Sequence, residues 1–229
     1  METLTAILVF LLACLIVYMI YVLYFKKGSS NEISGEVNLA QQPPTLSTVI
    51  KPGSTNFTYS FWMYVNTWNP DAKIIFTSTD TSASGFYHQL TMDATKPSLI
   101  FSVQNDGTTA KKEDIVITES LPLQKWLYVV IRVNGLVLDF YINGKMVKSV
   151  QSKTTPTLNI TTIKLGGAAK PFDCYVRQFK RIVELISDEQ INADYVSGNG
   201  MMGLSSAASL EGRVEILKDS QVQTSVKLF

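Results

Sequence analysis

The sequence predicts an all-β, antiparallel sandwich preceded by one N-terminal transmembrane α-helix. Three observations predict it. An uncharged apolar run extends from Leu4 to Phe25, a series of short β-branched and aromatic runs follows with turn residues between them, and two Asn-Gly pairs fold neighbouring runs back on each other.

The apolar run holds 22 consecutive residues without a charge, Gly or Pro. As a helix it would span roughly 33 Å, slightly more than a hydrocarbon core of about 30 Å. Fourteen of its residues are Leu, Ile, Val or Phe, among them Leu4, Phe10, Leu15, Ile20 and Phe25, so insertion is favourable by several kcal/mol. Tyr21 and Tyr24 fall where an interfacial aromatic belt is expected, and Lys26-Lys27 closes the run. A cleaved secretory signal has the opposite order, with a basic start and a shorter apolar stretch. Here Glu2 stands at the start and the basic pair comes after. Residues 1–27 are therefore expected to be an uncleaved anchor in a lipid bilayer. Positive charge stays on the cytoplasmic side, so Lys26-Lys27 places the C-terminal domain of this single-pass chain on the cytosolic side. The sequons Asn56-Phe57-Thr58 and Asn159-Ile160-Thr161 would be used only if that domain were lumenal.

Beyond the anchor about 200 residues remain, which suits one β domain. With Glu2, Lys26 and Lys27 set aside, the 20 basic and 19 acidic side chains become 18 and 18. That balance argues against a nucleic-acid partner, which requires a basic excess to displace counterions from phosphates. Cys14 lies inside the apolar run and Cys174 far along the chain, so no disulfide framework is implied.

Residues 28–53, rich in Ser, Asn, Gln and Pro, read as a stalk ending in an edge strand. In Phe57 to Val65 the side chains of Phe57, Tyr59, Phe61, Met63 and Val65 share one strand face, the expected core face. Further strands are expected at Lys73 to Ser78, Phe86 to Met92, Ser98 to Gln104 and Asp114 to Thr118. Trp126 to Val133, Leu136 to Ile142 and Lys145 to Val150 are separated by Asn134-Gly135 and Asn143-Gly144, the signature of type I′ turns, and predict an antiparallel meander. Thr161 to Leu165 and Tyr175 to Val183 add strands. Ser187 with Gln190 forms a capping box that opens a short helix ending near Gly198. The domain is thus expected over 54–198. The tail, 199–229, carries two runs of strand character and serves as an edge strand or a partner-binding arm.

The run from Trp126 through Asn134-Gly135 and Phe140-Tyr141-Ile142-Asn143-Gly144-Lys145 resembles the concanavalin A-like, laminin-G-like jelly roll, in which a tryptophan opens a core strand and a Tyr-x-Asn-Gly hairpin follows. Tyr59 to Val65 looks like that family's first inner-sheet strand. Ile163 to Gly167, Val176 to Val183 and Leu185 to Ile191 look like its closing strands and terminal helix. Joined to an N-terminal anchor, such a domain also resembles minor capsid or virion membrane proteins of large icosahedral DNA viruses. That resemblance implies a non-enzymatic structural protein linking an internal membrane to a protein shell, with the bilayer and other structural or capsid proteins as partners. The alternative is a membrane-tethered, carbohydrate-binding lectin in the opposite orientation.

No catalytic, cofactor or metal residues are expected. Retaining glycosidases need two carboxylates about 5 Å apart, and Glu113, Asp114 and Glu119 read instead as solvated strand ends. His88, the one histidine, has no Cys or His neighbour to build a zinc site or triad and reads as structural. Asp80, Asp93, Asn105 and Asp106 could serve a loop calcium site, yet such residues are commonly turn formers. Gly166-Gly167 lacks the Lys-Ser/Thr of a phosphate loop. Trp62 and Trp68 are the candidate glycan or partner contacts, weighed against simple packing roles, whereas Trp126 is placed in the core by the family resemblance.

Overall fold

A computed structural model describes residues 2–20, 30–41, 44–47, 49, 55–68, 73–80, 85–104, 112–153, 160–167, 172–199, 213–218 and 221–227. Two antiparallel six-stranded sheets face each other. The first contains, in spatial order, β1 (Ser30–Asn38), β12 (Cys174–Ile182), β3 (Asn56–Val65), β8 (Trp126–Asn134), β9 (Val137–Ile142) and β10 (Lys145–Gln151). The second contains β2 (Thr45–Leu46), β11 (Thr162–Leu165), β4 (Lys73–Thr79), β5 (His88–Met92), β6 (Leu99–Gln104) and β7 (Lys112–Thr118). This two-sheet arrangement fits the expected jelly roll.

Period-two alternation builds the core. Phe57, Tyr59, Phe61, Met63 and Val65 are all buried between the sheets, with Phe76, Leu90, Phe101, Phe140 and Phe179. Phe61 stacks on Phe179 at 5.7 Å, and the Tyr59 ring lies 4.9 Å from that of Phe76, the offset and tilted contacts aromatic quadrupoles favour.

The strands of the meander are observed where expected, but its two turns differ. Ile142 pairs with Lys145, and Asn143 (φ 52) and Gly144 (φ 77) both adopt positive φ, as a type I′ turn requires. In the first turn Asn134 pairs with Val137, so Gly135 (φ 59) and Leu136 are the central residues. The left-handed position falls on the glycine alone, and the turn is shifted one residue from the expected Asn134-Gly135 centre.

The expected stalk contributes strands. β1 pairs with β12, Val37 and Leu39 enter the core, and β2 pairs with β11. As an edge strand with a solvated face, β1 is mostly polar, which disguised it. The tail runs form β13 (Arg213–Lys218) and β14 (Gln221–Lys227), which pair with each other rather than adding an edge strand to either six-stranded sheet.

Helix α2 (Asp188–Ser197) is capped as anticipated: Gln190 N donates to Ser187 Oγ at 3.2 Å, and Gly198 (φ 79) ends it. Ser187→Ala removes that acceptor and is expected to lower stability by about 1 kcal/mol in chemical denaturation. The helix lies on the outer face of the first sheet. Ile191 is buried there against Trp62, Tyr128, Val130 and Tyr141, with Trp126, Ile186 and Tyr195 at the margin. Trp126 is thus half-buried on the outer face beside Tyr64, not in the inter-sheet core, because even-numbered residues of β8 point away from it.

Helix α1 covers Glu2–Ile20, 19 residues, or about 28 Å. Among the described residues no helix is long and apolar enough to cross a membrane, so the expected span Leu4 to Phe25 is not shown. Its C-terminal part, Tyr21, Tyr24, Phe25, Lys26 and Lys27, lies outside the described residues. From Phe10 to Met19 every side chain is exposed.

Candidate binding cleft

The outer face of the first sheet carries a cleft of about 120 Å³ beside the C-terminal half of α2, lined by Ser60, Trp62, Tyr128, Gln178, Lys180, Asp194 and Ser197. Cross-strand register brings the sheet residues together: Ser60 stands opposite Lys180, and Trp62 opposite Tyr128. Gln178 sits at a bulge in β12, where the register with β3 shifts between Arg177 and Lys180, and it adopts a left-handed φ of 50°. A non-glycine residue held there is strained, and such strain concentrates at functional sites.

The helix supplies the opposite wall. Tyr128 Oη donates to Asp194 Oδ2 at 3.2 Å, and Gln190 Nε2 donates to Asp194 Oδ1 at 2.7 Å. Burial, and then the Asp194 charge, push the Tyr128 phenol above its ordinary range, so it remains a protonated donor. On the far wall Lys180 Nζ lies 3.9 Å from Glu32 Oε1. The cleft is therefore polar, with a cation and an anion on facing sides.

Trp62 lines this cleft with little exposed surface. It is 5% exposed and stacks on Tyr195 at 5.9 Å, so it is chiefly a packing residue under α2. Trp68 is half-buried against the main core, and its Nε1 donates to Asp93 O. The two tryptophans are not brought together. Ser60, Gln178, Lys180 and Asp194 were not singled out in the sequence. The alternation around Phe61 puts Ser60 on the outer face, but nothing in the residues near Gln178 announces the bulge.

The other candidate residues have structural partners. His88 is buried in the core, with Nδ1 3.2 Å from Tyr59 Oη. Asp93 Oδ1 accepts from Thr95 N and Oγ1, a turn-forming role, and Asp80 accepts from Thr161 Oγ1. Glu113 accepts from Ser152 Oγ and Lys153 N, and Glu119 pairs with Lys96 on the surface. Asn105, Asp106 and Asn159 lie outside the described residues. Among the described residues no group of three His, Cys, Asp or Glu could hold a metal ion. Cys174 is buried, which raises its thiol pKa, and Cys14 is exposed on α1.

A second polar feature crosses the outer face of the second sheet. Register aligns Lys164, Thr77, Gln89, Ser102 and Asp114 across five strands, and Gln89 Nε2 donates to Thr77 Oγ1.

The sequence profile of the concanavalin A-like lectin/glucanases superfamily, laminin G type, matches residues 36–192. The chain belongs to that superfamily. The superfamily match begins within β1, in agreement with its pairing in the first sheet. No curated protein matches the chain. Among solved structures, the binding domain of botulinum neurotoxin DC in complex with SialylT is similar at a TM-score of 0.52 and 18% identity, over 74% of this chain and 46% of that one. The same binding domain in complex with rat synaptotagmin II gives 0.52 and 17%, over 74% and 47%. A structure of botulinum neurotoxin type C, for which entering cells depends on interaction with two ganglioside molecules, gives 0.51 and 17%, over 74% and 46%. The chain spans less than half the length of these structures, and at such identity the likeness shows the superfamily fold alone.

Proposed function

We propose that the chain is a non-enzymatic interaction protein whose superfamily domain is tethered to a bilayer by its N-terminal segment. The observation that carries this reading is α1, whose described side chains Phe10 to Met19 are apolar on every side of the helix and exposed. A helix without a polar face is stable only when something apolar surrounds it. The sequence continues the apolar run to Phe25 and closes it with Lys26-Lys27, which supplies the length for a span and orients the domain toward the cytosolic side. In this reading the sandwich docks on other structural proteins, and the finer version is a minor capsid or virion membrane protein linking an internal membrane to its shell. Crosslinking in native membranes or particles is expected to join the domain to abundant protein neighbours. A domain that stays monomeric and uncrosslinked would remove the docking role.

A second reading, a membrane-tethered lectin, is favoured by the polar row Lys164, Thr77, Gln89, Ser102 and Asp114, which the register aligns across the outer face of the second sheet. Glycan-array binding lost in Gln89→Ala would support it, and failure to bind any glycan with or without calcium would eliminate it.

A further inference from the structure

The geometry points to the cleft beside α2 as a site for a small amphoteric group, an anion at one end and a protonated amine at the other, which is the chemistry of phosphoethanolamine. Its volume, about 120 Å³, corresponds to about four waters and is well below the 300 Å³ or more of drug-sized pockets. The cleft is of a size to seat one headgroup. Trp62, 5% exposed and packed against the rings of Tyr128 and Tyr195, offers a sugar little surface to stack on.

The two walls divide the work. Lys180 Nζ and the Gln178 amide offer donors for an anion on the β12 side, and the Ser60 hydroxyl is engaged by the Tyr128 phenol. Arg177, opposite Trp62 in the ladder, adds positive charge one rung away. On the α2 side Asp194 accepts one hydrogen bond at each oxygen from Gln190 and Tyr128, which leaves a lone pair on each for an ammonium. Ser197 Oγ donates to the Asp194 backbone oxygen and so presents its own oxygen as an acceptor. A bare anion would meet the Asp194 charge, and a bare amine would meet Lys180. With Glu32 beside Lys180 and Arg177 one rung away, two cations and two anions balance, which suits a group that carries both charges.

The position suits a headgroup. Glu32, beside the Lys180 wall, is two residues into β1. Nine residues separate the start of β1 from the end of α1 at Ile20, a stretch of at most about 32 Å. A lipid source rests on the tethered reading above, whereas the chemistry of the cleft does not.

The full-length chain in neutral detergent micelles is titrated calorimetrically with O-phosphoethanolamine. Saturable binding is expected, at least tenfold weaker in Asp194→Asn and in Lys180→Met. Because either substitution could disturb α2 or the sheet, phosphocholine serves as a ligand-side control. Its quaternary ammonium cannot donate to Asp194, and it is expected to bind at least tenfold weaker to the unaltered chain. No saturation, or equal binding of inorganic phosphate or phosphocholine, would overturn the proposal. Repeating the titration in nanodiscs with and without phosphatidylethanolamine separates the sources: competition assigns the lipid, and unchanged binding assigns a soluble ligand. A chain that binds in micelles but does not insert into nanodiscs contradicts the tether and leaves the site standing.

Discussion

Arg132→Ala is expected to lower the unfolding free energy by about 3 kcal/mol and to loosen α2 from the sheet. Arg132 Nε and Nη2 both reach Asp139 Oδ2, at 3.2 and 3.0 Å, and Nη1 reaches Asp188 Oδ1 at 2.8 Å and Ile186 O at 3.3 Å. Its guanidinium also lies over the Tyr141 ring, whose hydroxyl donates to the same Asp188 oxygen. One side chain thus joins β8, β9 and the first residue of the helix. Removing it leaves Asp139, whose side chain is 10% exposed, without its cation, and the remaining hydrogen bond from Ser149 does not replace a charge. The figure stays at the lower end for broken buried pairs because Arg132 retains some exposure. Asp188→Asn should cost less than about 1 kcal/mol, since that side chain is 64% exposed. Urea unfolding gives the energies, and hydrogen exchange in residues 188–197 reports the helix. Equal effects of the two substitutions would refute Arg132 as the latch.

The domain is expected to lose about 2 kcal/mol of stability between neutral pH and pH 5 through His88 alone. Burial, and then the positive charge of Arg181, lower the His88 pKa from the ordinary 6.5 to about 3. The unfolded chain takes up a proton below about 6.5 that the folded chain refuses. The stability is therefore complete above that pH and is lost, at about 1.4 kcal/mol per unit, as pH falls toward 3. His88 is the one histidine in the chain, so the assignment is unusually clean. It lies between Phe57 and Phe101, against Tyr59, a setting that His88→Phe should fill. That variant is expected to flatten the slope of stability between pH 7 and 5, with a loss at neutral pH for the missing hydrogen bond between Tyr59 and His88. A slope that survives the substitution would contradict the assignment.

Much of the sandwich was legible because its central strands obey a period of two. Phe57 to Val65 announces which residues face inward, the meander declares itself through Gly135 and Asn143-Gly144, and Ser187 with Gln190 marks the helix start. Edges and irregularities were harder to read. β1 is polar because one face is solvated, and its register breaks between Ile33 and Glu36, so alternation fails where the chain bulges. The cleft was invisible for a related reason. It unites residues of β3, β8, β12 and α2 that are up to 137 positions apart, and its strained member, Gln178, is displaced by a register shift with no local signature. Trp62 attracted notice as a surface aromatic, but no local pattern around it announces that α2 folds over it.

The most direct measurement is detergent phase partition of the full-length chain alongside a chain lacking residues 1–27. A tethered domain sends the full chain into the detergent phase and the truncated one into water. Recovery of the intact full-length chain in the aqueous phase would contradict the tether and the membrane-linked role built on it.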